Sequence, residues 1–157
     1  MQILFYETDK PYGCFSNFSR HPITLDGILW PTTEHYFQAC KFTEQADIDA
    51  VREAKTPFLA AQIGRERHRS FRSDWDQARD PVMLEALRAK FTQHEDLRTL
   101  LLSTGEARLV ESATVDNEVN RLWGEVNGRG QNMLGQLLME LRTNLRGETG
   151  DLSRRAA

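Results

Sequence analysis

The chain of 157 residues predicts an α+β fold that is mostly helical, with a small N-terminal β-sheet. Three features carry that prediction: a strand and a hairpin signal early in the chain, helix-start signals repeated after them, and a leucine stripe of helical period near the end. The length suits one domain, since it can bury a substantial core and leaves little surplus for a second. That domain is expected over residues 1–146, with 147–157 as a tail.

Gln2-Ile3-Leu4-Phe5-Tyr6 reads as a strand, and Ile23–Trp30 as a hairpin turning at Asp26-Gly27, the dipeptide that a tight two-residue turn favours. After Pro31, Thr32 or Thr33 can cap a helix running to about Phe42, and a second helix covers about 45–54. Thr56-Pro57 places a cap before a proline suited to the first helical position and opens a helix to about Gly64. Asp80-Pro81 repeats the device before Val82–Thr92. Glu95–Thr104 is a helix ended by Gly105, Ala107–Ser112 a strand, and Asn127–Gly130 a glycine-rich loop. Leu134, Leu137, Leu138, Leu141 and Leu145 share one face of a last helix, which should be core. Beyond Gly147 only Leu152 is large and apolar, too little burial to offset ordering entropy, so a disordered tail is expected.

With 39% hydrophobic and 27% charged residues, the composition is that of a globular protein, and no apolar run approaches the length of a membrane span. The N-terminus has neither a basic leader nor an extended apolar stretch, which leaves the cytoplasm as the expected compartment. Two cysteines, Cys14 and Cys40, are too few for a disulfide framework, and neither forms a zinc-like spacing with a histidine. No metal ion and no cofactor are expected. A net charge of −3 argues against a broad grip on nucleic acid while leaving room for a local basic site.

The densest chemistry lies in Trp30-Pro31-Thr32-Thr33-Glu34-His35-Tyr36-Phe37-Gln38-Ala39-Cys40-Lys41-Phe42. On a helix Glu34, Gln38 and Lys41 fall at i, i+4 and i+7, so a carboxylate, an amide and an amine face the same space, with Phe37 beside them. Spacing alone also allows a solvated Glu–Lys face. The aromatic density around Trp30, Tyr36, Phe37 and Phe42 makes a wholly exposed face hard to build, which favours a pocket. Phe15-Ser16-Asn17-Phe18 sets two hydrogen-bonding side chains between aromatics, suited to gripping a ring or to an ordinary turn under the core. Arg65, Arg67, Arg69 and Arg72 offer guanidinium groups for phosphate, unless Glu66, Asp74 and Asp76 neutralise them. Trp123-Gly124, then Glu125, a glycine-containing loop and Asn132, can stack on and closely approach a flat ligand, or Trp123 can simply plug the core.

Taken in order, these motifs, with Gly64-Arg65, Leu87-Arg88-Ala89-Lys90-Phe91, Leu109-Val110-Glu111, Leu134-Gly135 and Leu138-Met139, resemble the YbiA-like, or NADAR (NAD- and ADP-ribose-associated), family over nearly all of residues 4–146. The resemblance implies a compact, largely helical α+β fold and an N-glycosidase. Its implied substrates are phosphorylated N-ribosides: riboflavin-pathway ribosylaminopyrimidine phosphates, or ADP-ribose on guanine, the latter admitting a nucleic-acid partner. Glu34 and Lys41 are the implied catalytic pair. Glu34 would stabilise the oxocarbenium-like ribose, activate water or exchange protons with Lys41. Lys41 would donate to the leaving group or form a Schiff base with the opened ribose. Phe15, Ser16, Asn17, Trp30, Phe37, Gln38, Arg65, Trp123, Gly124 and Asn132 are the implied substrate contacts. Where family members carry an acid before the Trp-Gly pair this chain has Asn120, so Asp116, Glu118 or Glu125 would have to replace it. The competing reading is a binding module for ADP-ribose or NAD that has lost turnover through that change.

Overall fold

A computed structural model describes residues 1–156, the side chains at 152, 153 and 156 apart. In chain order the elements are β1 (Gln2–Phe5), β2 (Ile23–Leu25), β3 (Ile28–Trp30), α1 (Thr33–Ala39), α2 (Gln45–Arg52), α3 (Pro57–Gly64), α4 (Trp75–Gln93), α5 (Glu95–Ser103), β4 (Arg108–Ala113), α6 (Glu118–Trp123), β5 (Glu125–Val126) and α7 (Met133–Ala156). Helices dominate and the strands are short, as the fold class requires. The chain forms two compact units, one of residues 1–16 together with the chain from Glu95 onward, the other Asn17–His94. Among the described residues no helix is long and apolar enough to cross a membrane.

In the first unit β1 pairs in parallel with β4, Gln2 opposite Arg108 and Phe5 opposite Glu111, and β4 pairs in parallel with β5. The strand period of two puts Ile3 and Phe5 inside and Leu4 outside. Helix α7 lies on β4, and the expected stripe of Leu134, Leu137, Leu138, Leu141 and Leu145 is buried throughout. The N-terminal sheet therefore needs correcting in its partners. β1 belongs with strands from late in the chain, and the hairpin forms a separate two-stranded sheet. The expected disordered tail also needs correcting, because α7 is helical to Ala156. Arg98 donates to Thr149 Oγ1 at 3.1 Å, and Arg155 pairs with Asp151 one turn away at 3.2 Å, both of which support helix there. Ala157 lies outside the described residues.

In the second unit the β2–β3 hairpin turns at Asp26 and Gly27, with φ of 52° and 76°, the left-handed pair that a tight hairpin turn demands. The Gln93 side chain at the end of α4 completes the β2 edge: its Oε1 accepts from Thr24 N at 2.8 Å, and its Nε2 donates to Thr24 O at 2.7 Å. Ile23, Trp30, Ala39, Phe42, Val51, Ala60, Ala86 and Ala89 form the core between hairpin and helices. Helix α3 starts as expected, Thr56 Oγ1 accepting from Leu59 N at 3.1 Å with Pro57 at the first helical position. Thr56→Ala should lower stability by about 1 kcal/mol. The check is urea denaturation, where the midpoint falls while the m-value stays as in the wild type.

Two helix boundaries differ from expectation. Asp80-Pro81 does not open a helix: α4 begins at Trp75 and carries Pro81 inside. A proline there removes one backbone hydrogen bond. The turns before it bury Trp75 against Phe37, their ring centroids 5.0 Å apart, which keeps those turns helical. Helix α1 stops at Ala39 rather than Phe42, because the following backbone is recruited by a distant segment. Arg72 N donates to Lys41 O at 2.8 Å, Thr43 N donates to Ser70 O at 3.0 Å, and Phe42 bridges Phe71.

Candidate active site

Helix α1 is only seven residues long, yet six of them are buried, including Glu34, His35 and Gln38. Burying so much polarity is costly unless each group is satisfied, so the helix has to be held from several sides. Thr32 caps it, its Oγ1 accepting from His35 N at 3.2 Å and lying 2.7 Å from His35 Nδ1. His35 Nε2 reaches Ala54 O at 2.9 Å. That pattern is satisfied by a neutral imidazole with the proton on Nε2, and burial correspondingly pulls the His35 pKa down. Asn17 holds the first turn. Its carbonyl accepts from Glu34 N at 3.2 Å, its Oδ1 accepts from Thr33 Oγ1 at 2.8 Å, and its Nδ2 donates to Met83 Sδ at 3.3 Å.

Glu34, 8% exposed, is thereby fixed with its carboxyl group inside the fold. Gln38 Nε2, one turn on, donates to Glu34 Oε1 at 2.7 Å. Burial raises the Glu34 pKa, opposed by that hydrogen bond and by the charges of Lys41 and Arg65. Lys41 is 9% exposed, and its Nζ lies 5.8 Å from the centre of the Phe37 ring and 6.0 Å from that of Trp75. Burial, aided by Arg67 and Arg65 and opposed by Glu34, brings its ammonium down to about 8. A carboxyl group whose pKa is raised and an amine whose pKa is lowered thus act on each other by charge, with Phe37 and Trp75 beside the amine.

The four arginines divide. Arg69 is engaged by Glu66 at 2.5 Å and Asp47 at 3.0 Å, and Arg72 by Asp74 at 2.6 Å. Arg67 lies 4.2 Å over the Phe71 ring and donates to Gly64 O at 2.8 Å. Arg65 is exposed and has no ion-pair partner among the described residues. Arg67 and Arg65 both act on Lys41 by their charge.

Of the other sequence-derived candidates, Phe15, Ser16, Trp123, Gly124 and Asn132 belong to the first unit and Trp30 to the second. Trp30 is buried in the core with its ring edge-on to Tyr36, centroids 5.4 Å apart. Phe15, in the first unit, is 0% exposed and packs against Phe5 and Tyr12; Ser16 is buried beside it in sequence. Trp123 ends α6 half-buried, and Gly124 packs so closely on β4 that a Cβ would lie 2.3 Å from Glu111 O. Asn132 is buried and serves as a backbone clip, donating to Leu109 O at 2.8 Å and accepting from Glu111 N at 3.1 Å. Of the acids offered in place of Asn120, Asp116 pairs with Arg121 at 2.5 Å, which holds its carboxyl low. Glu125 pairs with Arg108, and Glu118 is exposed at the start of α6. Asn120 itself donates to Val115 O at 2.7 Å.

Trp75 and Gly64 were not singled out from sequence as site residues, although Trp75 walls Lys41 and Gly64 touches Gln38. The signal for Trp75 was Asp74, a helix-cap residue type directly before it. Among the described residues no group of three or more His, Cys, Asp or Glu side chains is placed to hold a metal ion.

The sequence model of the NADAR domain matches residues 4–146. The chain is 49% identical over 144 residues to the N-glycosidase YbiA of Shigella flexneri serotype 5b, across 91% of this chain and 88% of that protein. It is 40% identical over 161 residues to the chloroplastic riboflavin biosynthesis protein PYRR of Zea mays, across 92% of this chain and 25% of that protein. The NMR structure of E. coli YbiA superimposes with a TM-score of 0.84 at 47% identity, covering 95% of this chain and 89% of that one.

Proposed function

The chain belongs to the NADAR family, and on that premise we propose that it is an N-glycosidase cleaving the bond between ribose and the amine nitrogen of a ribosylaminopyrimidine phosphate. The observation that carries this reading is the burial of Glu34 and Lys41 within reach of each other's charge, a carboxyl group raised by burial and an amine lowered to about 8. The substrate class draws support from relatives named for N-glycosidase activity and for riboflavin biosynthesis.

Breaking an N-glycosidic bond requires a proton for a poor leaving group and a stabilised electron-poor anomeric carbon. Protonated Glu34 supplies its proton as the ribose ring opens, leaving a C1=N iminium to the aminopyrimidine. The Lys41 amine adds through its lone pair to C1, and its proton passes to the departing nitrogen through the Glu34 carboxylate. The C1–N bond then breaks, which releases the free aminopyrimidine and leaves C1 as a Schiff base on Lys41. Water adds to that imine and frees the sugar phosphate and the lysine. Arg65 and Arg67 hold the phosphate and, by their charge, keep the amine deprotonated more of the time. Phe37 and Trp75 exclude water from the amine.

Two guanidinium groups also suit the diphosphate of ADP-ribose on guanine, the second substrate class. Comparing kcat/KM for the ribosylaminopyrimidine phosphate and for an ADP-ribosylated guanine oligonucleotide tests the choice. A higher value for the first supports the metabolite; a higher value for the second reassigns the substrate while leaving the chemistry intact.

A further inference from the structure

Gly64 closes α3, and nothing about the backbone asks for glycine there. It is helical with no positive φ, and the capping residue after it, Arg65, is right-handed at φ −88° and ψ −10°. Glycine within a helix is otherwise a disadvantage, so its place needs another reason. A Cβ at Gly64 would fall 1.9 Å from Gln38 Oε1, 2.7 Å from Cδ and 3.2 Å from Cβ. The volume of the missing side chain is occupied by the Gln38 amide. The other end of that amide, Nε2, donates to Glu34 Oε1 at 2.7 Å. The wedged Oε1 is buried, and no donor reaches it among the described residues. The oxygen end of the amide is therefore held by no hydrogen bond of its own. Contact with Gly64 is what seats that end.

We infer that Gly64 is a positioning residue for catalysis: its missing side chain seats the Gln38 amide so that Nε2 is aimed at the Glu34 carboxyl group. The inference rests on the glycosidase reading above and deepens it. Gly64→Ala is compatible with the helical backbone and improves helix propensity, but it turns Gln38 away from Glu34. The hydrogen bond that opposes the burial-raised Glu34 pKa is then lost, and Glu34 titrates at higher pH.

The test measures kcat, KM and the carboxyl 13C NMR titration of Glu34 in Gly64→Ala, Gln38→Ala and the double variant. Gly147→Ala, at a glycine with open space around it, is the control. The expected results are a loss of about 10²-fold in kcat for Gly64→Ala with KM little changed, a Glu34 titration moved upward, and a double variant no worse than Gln38→Ala. If Gly64→Ala fails to fold, recovery of folding in the double variant supports the same contact, and failure of both variants to fold overturns it. Wild-type kcat and an unmoved Glu34 titration in Gly64→Ala also overturn the inference, as does a double variant whose loss is the product of the single losses. The NMR titration needs no turnover, so it tests the seat of Gln38 even if Glu34→Gln remains active and the catalytic reading fails.

Discussion

Glu34→Gln should lower kcat by about 10²–10⁴-fold, the range over which a positioned proton carrier contributes, while the protein stays folded. The substitution keeps the shape and an oxygen that can accept from Gln38, so the 2.7 Å hydrogen bond has an equivalent in the variant. It removes the proton that the mechanism moves. Stability should respond in the opposite direction. Because the Glu34 pKa is raised above its ordinary value of 4.5, folding favours the protonated acid. That contribution is fully present below the unfolded value and is lost as pH rises through the folded one. A neutral amide escapes this loss, so thermal unfolding at pH 7 should give a Tm for Glu34→Gln equal to or above that of the wild type. Full activity in the variant would remove Glu34 from the chemistry, whereas a collapsed Tm would make its role structural.

Lys41→Ala should abolish turnover, and Lys41→Arg should do no better, because a guanidinium keeps the charge but forms no Schiff base under these conditions. The amine is the reactive form. Because the mechanism needs Lys41 as the amine and Glu34 as the acid, the wild-type kcat should pass through a maximum, falling toward low pH as Lys41 takes up a proton and toward high pH as Glu34 loses one. A lysine acting only as a cation would let Lys41→Arg retain part of the activity. Borohydride added during turnover should fix a sugar-phosphate mass on the wild type and leave Lys41→Ala unlabelled.

What the sequence revealed was decided by local chemistry. Asp26-Gly27 makes a tight hairpin turn from its own backbone preferences, Thr56-Pro57 opens a helix through one cap and one missing N–H, and the leucine stripe of α7 is a matter of period. The pairing of β1 with β4 is not local: nothing near Gln2 names Arg108 as its partner. The same limit explains Lys41. Periodicity extended α1 through it, but backbone bonds from Arg72 and Thr43 draw that segment off the helix, and Trp75 comes from a helix whose start was obscured by Pro81. Glu34, Gln38 and Lys41 were legible as a group because they lie in one short motif. Trp30, Phe15 and Asn132 are buried, and sequence alone does not show burial at an isolated aromatic or amide. The Asn120 side chain donates to Val115 O.

Mass spectrometry of the products formed from the ribosylaminopyrimidine phosphate, with Glu34→Gln as the parallel control, tests the central claim most directly. Free aminopyrimidine and free ribose phosphate are expected from the wild type, and intact substrate from the variant. Intact substrate from both, retained by the protein and matched by the same result with ADP-ribosylated guanine, would contradict that claim and make this chain a binding module.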